Sequence, residues 1–230
     1  MYSSDAWKQF WNNKSTEENI FNQIGNSTET FVDFFINLKD IVPYLNLNDD
    51  DIVLDAGGGN GMISMALSPY VKEITMFDFS EGMVLKAKEN TKHFNNIKVF
   101  QDDILAMNNI KKNNYTKVVI GSVFQYLKDY EEVKKVLFNI YSIMNINSKM
   151  ICTFNPDIRK KSEHIKSYDR LKWEPKKIKK SLEIEENRLW TDLNIIEEIA
   201  IELGFRKCYE TKINSKIWQS THMYNFVLEK

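Results

Sequence analysis

Asp55, Gly57, Gly58, Gly59 and Gly61 fall within seven positions of a chain that has only eight glycines in 230 residues. Glycine at this density weakens regular structure, so something there requires bare backbone. Such a turn, placed between a strand and a helix, lets a ligand approach the main chain closely. Dinucleotides and S-adenosylmethionine are the two ligand classes that use it. The dinucleotide fingerprint G-x-G-x-x-G fails in both registers, because its third glycine is Met62 or Ser64. Asp55 would also repel a pyrophosphate, whereas a carboxylate beside a sulfonium or ammonium has the favourable sign.

The elements that must position this turn can be read from hydrophobic period. "DIVLDA" is a short apolar run with β-branched residues and predicts a buried strand. "GMISMALSPY" predicts a helix ending near Pro69, "EITMFDF" a second strand, and "SEGMVLKAKENTKHF" a helix capped by Ser80. "IKVFQDD", "TKVVIGS" and "KMICTFN" predict three more strands. Val133, Val136, Leu137, Ile140, Ile143 and Met144 line one face of a helix between the last two. Strand–helix alternation implies right-handed βαβ units and a mostly parallel sheet that binds ligands at its carboxyl edge. Gly204 stops a further helix, "LNIIEEIAIELGF". "RKCYETKIN" and "THMYNFVLE" then follow with no helix between them and should pair antiparallel. Ahead of the first strand, Phe31, Phe34, Phe35, Leu38 and Ile41 predict a helix face, with Ser27 or Thr28 as cap and Pro43 near its end. The expected architecture is a Rossmann-like, doubly wound, seven-stranded α/β sheet, mostly parallel with an antiparallel last strand. The chain reads as one domain over 1–230, with an N-terminal helical cap at 1–48 and a basic insertion at 157–190.

"VLDAGGGNG" resembles motif I of the class I S-adenosylmethionine-dependent methyltransferases, hydrophobic-L-D-x-G-x-G-x-G. The resemblance continues in order over roughly 45–155 and again over 190–230. It implies a methyl-transfer enzyme that uses S-adenosyl-L-methionine and releases S-adenosyl-L-homocysteine. Carried over residue by residue, it places Asp55, Ala56, Gly57, Gly59 and Gly61 around the cofactor. It assigns Asp78 to the ribose hydroxyls, with Phe79 and Met83 bordering the adenosine. Asp103 (or its neighbour Asp102) falls at the adenine amino group, and Ile104 at the ring. Ile120, Gly121 and Gln125 fall at the methionine end. The usual Leu-x-Pro-Gly-Gly turn before the fifth strand is replaced by "MNINSK", and the strand-four acid by Thr or Lys.

The acceptor side is less defined. Of three histidines, His222 alone is a candidate to face the pocket mouth, on the same strand face as Tyr224. Tyr126, in the loop after the fourth strand, is a second candidate to touch substrate or act in catalysis. Trp11, in the aromatic N-terminal "WKQFW", is expected to help enclose the substrate. Residues 157–180 carry ten Lys or Arg against four Asp or Glu, which suggests a solvated helix or a hold on an anionic, phosphorylated or sugar-linked acceptor. The Asn-Pro-Pro-aromatic motif of base-amino methylation is missing after the fourth strand, which reads "GSVFQY". A small-molecule acceptor is therefore expected, with no metal, nucleic-acid or membrane partner. A non-catalytic S-adenosylmethionine-binding module and a nicotinamide-dependent oxidoreductase are the competing readings.

Bulk composition agrees with this picture. With 43% hydrophobic and 27% charged residues, the chain has an ordinary globular balance. A formal net charge of -1 gives no general attraction to polyanions. The N-terminus lacks the apolar stretch of a signal peptide, and the expected compartment is the cytoplasm. Cys152 and Cys208 both lie in predicted strands and are expected as buried free thiols. Oligomeric state leaves no mark on the sequence.

Overall fold

The structure, a computed structural model, describes residues 3–24, 30–110 and 115–230. Seven strands form one sheet: β1 (Ile52–Ala56), β2 (Glu73–Asp78), β3 (Ile97–Gln101), β4 (Tyr115–Gly121), β5 (Met144–Pro156), β6 (Lys207–Thr211) and β7 (Met223–Glu229). Their order is β3-β2-β1-β4-β5-β7-β6. β1 runs parallel to β2 and β4, and β7 runs antiparallel to both β5 and β6. The order therefore reverses between β1 and β4, the position at which open α/β sheets bind ligands.

Both sheet faces are buried because alternate residues of each strand point to opposite sides. On one side, Leu54, Val118, Ile120 and Phe226 pack against α6 (Tyr130–Ile143) and α9 (Leu193–Leu203). On the other, Val53, Ile74, Val119 and Val227 meet Ile41 and Leu45 of α3 (Phe31–Leu45) and Leu67 of α4 (Met62–Leu67). Two adjacent residues of β1 thus anchor two separate cores, each burial contributing about 1.5–3 kcal/mol.

The remaining helices are α1 (Ser4–Lys14), α2 (Ile20–Gln23), α5 (Glu81–Thr91), α7 (Lys161–Ser167) and α8 (Pro175–Asn187). Thr30 caps α3 in a reciprocal box with Asp33, while Ser27 and Thr28 lie outside the described residues. The buried face of α3 is Phe34, Asn37, Ile41 and Leu45. Phe31 and Phe35 are each 63% exposed, so the predicted stripe is rotated at its start. β5 is longer than expected and runs through "MNINSK", with Asn147 at φ +64°. The segment 157–190 holds two helices, α7 and α8, and an isolated parallel bridge joins Asp157 to Thr191. Cys152 is buried but Cys208 only half-buried, because β6 is the sheet edge. Among the described residues, no helix is long and apolar enough to cross a membrane.

Candidate active site

The carboxyl ends of β1 to β5 and the loops that leave them surround one cleft of about 280 Å³. That is near the lower bound of ligand-sized cavities, about 300 Å³. Its floor is the glycine turn. Gly57, Gly59 and Gly61 have φ of +74°, +56° and +86°, conformations that a side chain strains. The amides of Gly57 and Gly58 donate to the Phe77 carbonyl at 2.9 and 3.0 Å, which folds the turn back on β2. A Cβ at Gly57 would lie 2.4 Å from Val123 Cγ2, whereas one at Gly59 would meet nothing within 4 Å. Gly57 is therefore needed for packing, and Gly59 leaves space above the turn.

Two acids stand over this floor. Asp78, at the end of β2, accepts hydrogen bonds from the Ser80 amide at 2.9 Å and the Gly59 amide at 3.0 Å. Asp55 accepts one from the Ser64 hydroxyl at 2.6 Å. Burial pushes both carboxyls up from 3.8 to about 6. Hydrogen bonds oppose the rise at each, and the charge of Asp55 adds to it at Asp78. Beyond β3 two adjacent acids divide. Asp102 is buried and accepts from the amides of Asp103, Asn108 and Asn109, which shapes the loop. Asp103 is half-buried, lines the cleft and, among the described residues, accepts the Leu105 amide through Oδ1.

The roof comes from the N-terminus. Asn12 of α1 accepts from the Ser80 hydroxyl at 2.7 Å and the Gly82 amide at 3.2 Å. This docks α1 on the start of α5 and brings Trp7 and Trp11 onto the Tyr126 ring, at 4.7 and 5.5 Å between centroids. Asn60, fully buried in the glycine turn, donates to the Ile20 carbonyl and to Gln23, tying α2 down.

Residues 53–146 match a family model described as a methyltransferase domain. Over that segment, which runs from β1 into β5, the chain is similar to the class I S-adenosylmethionine-dependent methyltransferases. Among curated relatives, a probable cobalt-precorrin-6B C(15)-methyltransferase (decarboxylating) of Methanococcus maripaludis is 34% identical over 118 residues, 48% of this chain and 63% of that protein. An rRNA adenine N-6-methyltransferase of Clostridium perfringens is 26% identical over 105 residues, 46% of this chain and 42% of that protein. The chain thus spans less than two thirds of the length of these relatives. Among solved structures, the N-methyltransferase NodS of Bradyrhizobium japonicum superimposes with a TM-score of 0.65 at 13% identity, covering 97% of both chains. The phosphoethanolamine N-methyltransferase 1 of Haemonchus contortus gives 0.69 at 16% identity, covering 98% of this chain and 48% of the other. At these identities the two superpositions establish the shared fold.

Within this fold the predicted site residues separate into two groups. Asp55, Gly57, Gly59, Asp78 and Phe79 line the cleft, as do Asp103, Ile104, Gly121, Trp11 and Tyr126. Ala56, Gly61, Met83, Ile120 and Gln125 do not. Ala56, Met83 and Ile120 are fully buried in the core. A Cβ at Gly61 would lie 3.1 Å from Thr91 Cγ2, so this glycine sets the approach of the turn to α5. Gln125 turns inward and donates to the Ser122 carbonyl and to Tyr126 Oη.

His222 is also placed away from the cleft. Its ring stacks on His164 at 3.8 Å, with Trp218 at 4.4 Å. Burial first, then the neighbouring His164, pushes it down to about 2, so it stays neutral and is a poor proton acceptor. The Tyr126 phenol is pushed up well above its ordinary value by burial and keeps its proton.

Sequence reasoning missed Asn12, Asn60 and Gly82. Gly82 alone carried a signal, since an isolated glycine in a helical stretch costs about 1 kcal/mol against alanine and needs a reason. Here a Cβ would lie 2.2 Å from Ser15 Oγ.

Proposed function

We propose that this chain is an S-adenosylmethionine-dependent methyltransferase acting on a small-molecule acceptor. The observation that carries the reading is the open space over Gly59, in a cleft that Asp78 and Asp103 also line. A cofactor with an adenosyl group and a positive amino-acid end fits this donor and acceptor set. Asp78 would accept from ribose hydroxyls, Asp103 from the adenine amino group, and the ionised Asp55 would favour the cationic end.

When bound, S-adenosylmethionine would supply an electrophilic methyl group with a neutral thioether as its leaving group. The chain's own contribution is alignment and exclusion of water, and well-oriented reactants alone can remove about 7–11 kcal/mol of barrier. Trp11 and Tyr126 close the cleft on the α1 side, while Gly121 keeps the β4 end thin enough for close approach. Neither His222 nor Tyr126 offers a ready base, so the reading assigns them none.

The acceptor is a small molecule in this proposal because Trp11 of α1 and Ile24, just after α2, cover the cleft from the N-terminal side. The basic insertion gives weak support to an anionic acceptor. Lys172, Lys176, Lys177, Lys179 and Lys180 are exposed, and none lines the cleft. Turnover of labelled methyl donor, offered with small metabolites and separately with ribosomal RNA, tests the proposal. Transfer to a small molecule supports it, and transfer to RNA alone refutes the acceptor class. Cofactor binding without transfer to either would support a binding module instead.

A further inference from the structure

One part of the cleft lining is not used by the residues proposed to hold the adenosyl group. It lies beyond Gly121, between the end of β5 and the facing side of α3 and α4. Phe34, Met62, Ile63 and Phe154 supply apolar walls, and Asn37 and Thr153 are the polar side chains among them. Asn37 is 4% and Thr153 1% exposed, and neither Asn37 Oδ1 nor Thr153 Oγ1 has a hydrogen-bond partner among the described residues. Buried polar atoms in folded proteins are nearly always paired, so two unpaired oxygens on residues that line one cleft are candidates for a ligand's hydrogen bond. Thr153 Oγ1 lies 3.7 Å from the position of a Cβ on Gly121, at the β4 edge of the cofactor cleft.

The backbone around Thr153 is held in an unusual shape. Ser122 and Phe154 have φ of +57° and +56°, rare for residues with side chains and most often found at functional sites. The Ser122 amide donates to the Thr153 carbonyl at 2.9 Å, and the Phe154 amide donates to Asn225 Oδ1 at 2.8 Å. Asn225 is itself fully buried. These bonds fix Thr153 between two strained neighbours.

Charge decides the class of ligand. Among the described residues lining the cleft, the acids are Asp55, Asp78, Asp102, Asp103 and Glu132, and Lys128 is the one cation. Lys128 is exposed and forms an ion pair with Asp129 at 3.7 Å. Among the described residues, no cation lines the cleft beside Asn37 and Thr153, so an anion placed there would meet acids and no counter-charge from them. We infer that Asn37 and Thr153 are specificity-determining residues of the methyl-acceptor subsite, and that the acceptor is an uncharged, largely apolar molecule with a hydrogen-bonding group. The inference rests on the reading of the adjoining cleft as the cofactor site.

The test combines Thr153→Val and Asn37→Leu, which keep volume and remove the polar atoms. Ligand-free variants should melt at or above the wild-type temperature, because an unpaired polar group is lost. Calorimetry with S-adenosylhomocysteine should give a Kd within twofold of wild type. In labelled-methyl transfer, wild type should favour uncharged aromatic alcohols and amides over phosphorylated sugars by at least tenfold in kcat/KM. Either substitution should lower that value about tenfold, mainly through KM. Preference for phosphorylated acceptors, no transfer to any uncharged acceptor, unchanged transfer by both variants, or a fall of several degrees in melting temperature would overturn the inference. Wild-type chain that fails to bind S-adenosylhomocysteine would instead overturn the cofactor reading beneath it.

Discussion

The Gly59 amide donates a hydrogen bond to the Asp78 carboxylate at 3.0 Å, so the glycine turn and the end of the neighbouring strand are one unit. Asp78 also accepts the Ser80 amide and is nearly sealed from water. A buried carboxyl whose pKa is raised binds its proton more tightly in the folded than in the unfolded state. Its share of stability is fully present below about pH 4 and is lost as pH rises through about 6. Asp55 behaves in the same way. Ligand-free protein should therefore lose stability between about pH 4 and 6 and then level off, and Asp55→Asn should flatten that slope. Denaturant unfolding across this range checks it.

Cofactor binding should show the opposite trend. The proposed contacts use ionised carboxylates, so S-adenosylhomocysteine affinity should fall about tenfold per pH unit below 6 for each carboxylate required. Calorimetry at pH 5 and pH 8 reads this directly. Equal affinity at both values would remove Asp55 and Asp78 from the binding set.

The glycines of the turn should separate by function. Gly59→Ala has open space and carries only the cost of a left-handed conformation, about 1–2 kcal/mol. Its new methyl group would occupy the cofactor space, so S-adenosylhomocysteine affinity should drop at least tenfold. Gly57→Ala adds a clash with Val123 and should lower the melting temperature further. At about 2–4 °C per kcal/mol for a chain of this size, the difference is measurable by thermal scan.

Asp102 and Asp103 should separate just as clearly. Asp102→Ala leaves three amides without their acceptor and should cost about 1–3 kcal/mol of stability. Asp103→Ala loses one local bond and should cost less than about 1 kcal/mol, yet weaken S-adenosylhomocysteine binding about tenfold. Thermal melts and calorimetry on the two variants distinguish the shaping residue from the binding one.

Gly82→Ala should release the roof. Its Cβ would fall 2.2 Å from Ser15 Oγ and 3.4 Å from the Asn12 backbone, which pushes α1 off α5. Amide exchange over 4–14 should quicken while exchange in β1 and β4 stays unchanged. The double variant Gly82→Ala, Ser15→Gly should restore part of the protection.

How much of this was legible depends on the range of each interaction. The strands, the glycine turn and its acids are local patterns, and the antiparallel pairing of β6 with β7 follows from the missing helix between them, whereas the strand order is set by long-range packing. The docking of Asn12 on Ser80 spans 68 residues of sequence and leaves no periodic trace. Phe31 and Phe35 fit the helical period as well as Phe34 does, and only packing against Met62 decides which of them is buried. His222 was misplaced because it lies just before β7, so strand alternation does not apply to it. Instead it packs on a histidine of the insertion. The polar pair Asn37 and Thr153 looks ordinary in sequence and stands out only once its partners are found missing.

The most direct test is titration calorimetry of the wild-type chain and of Asp78→Ala with S-adenosylhomocysteine and, in parallel, NAD. The account predicts one equivalent of S-adenosylhomocysteine bound by wild type, at least tenfold weaker binding by the variant, and no heat from NAD. Binding of NAD in place of S-adenosylhomocysteine, or equal S-adenosylhomocysteine affinity in both proteins, would contradict it.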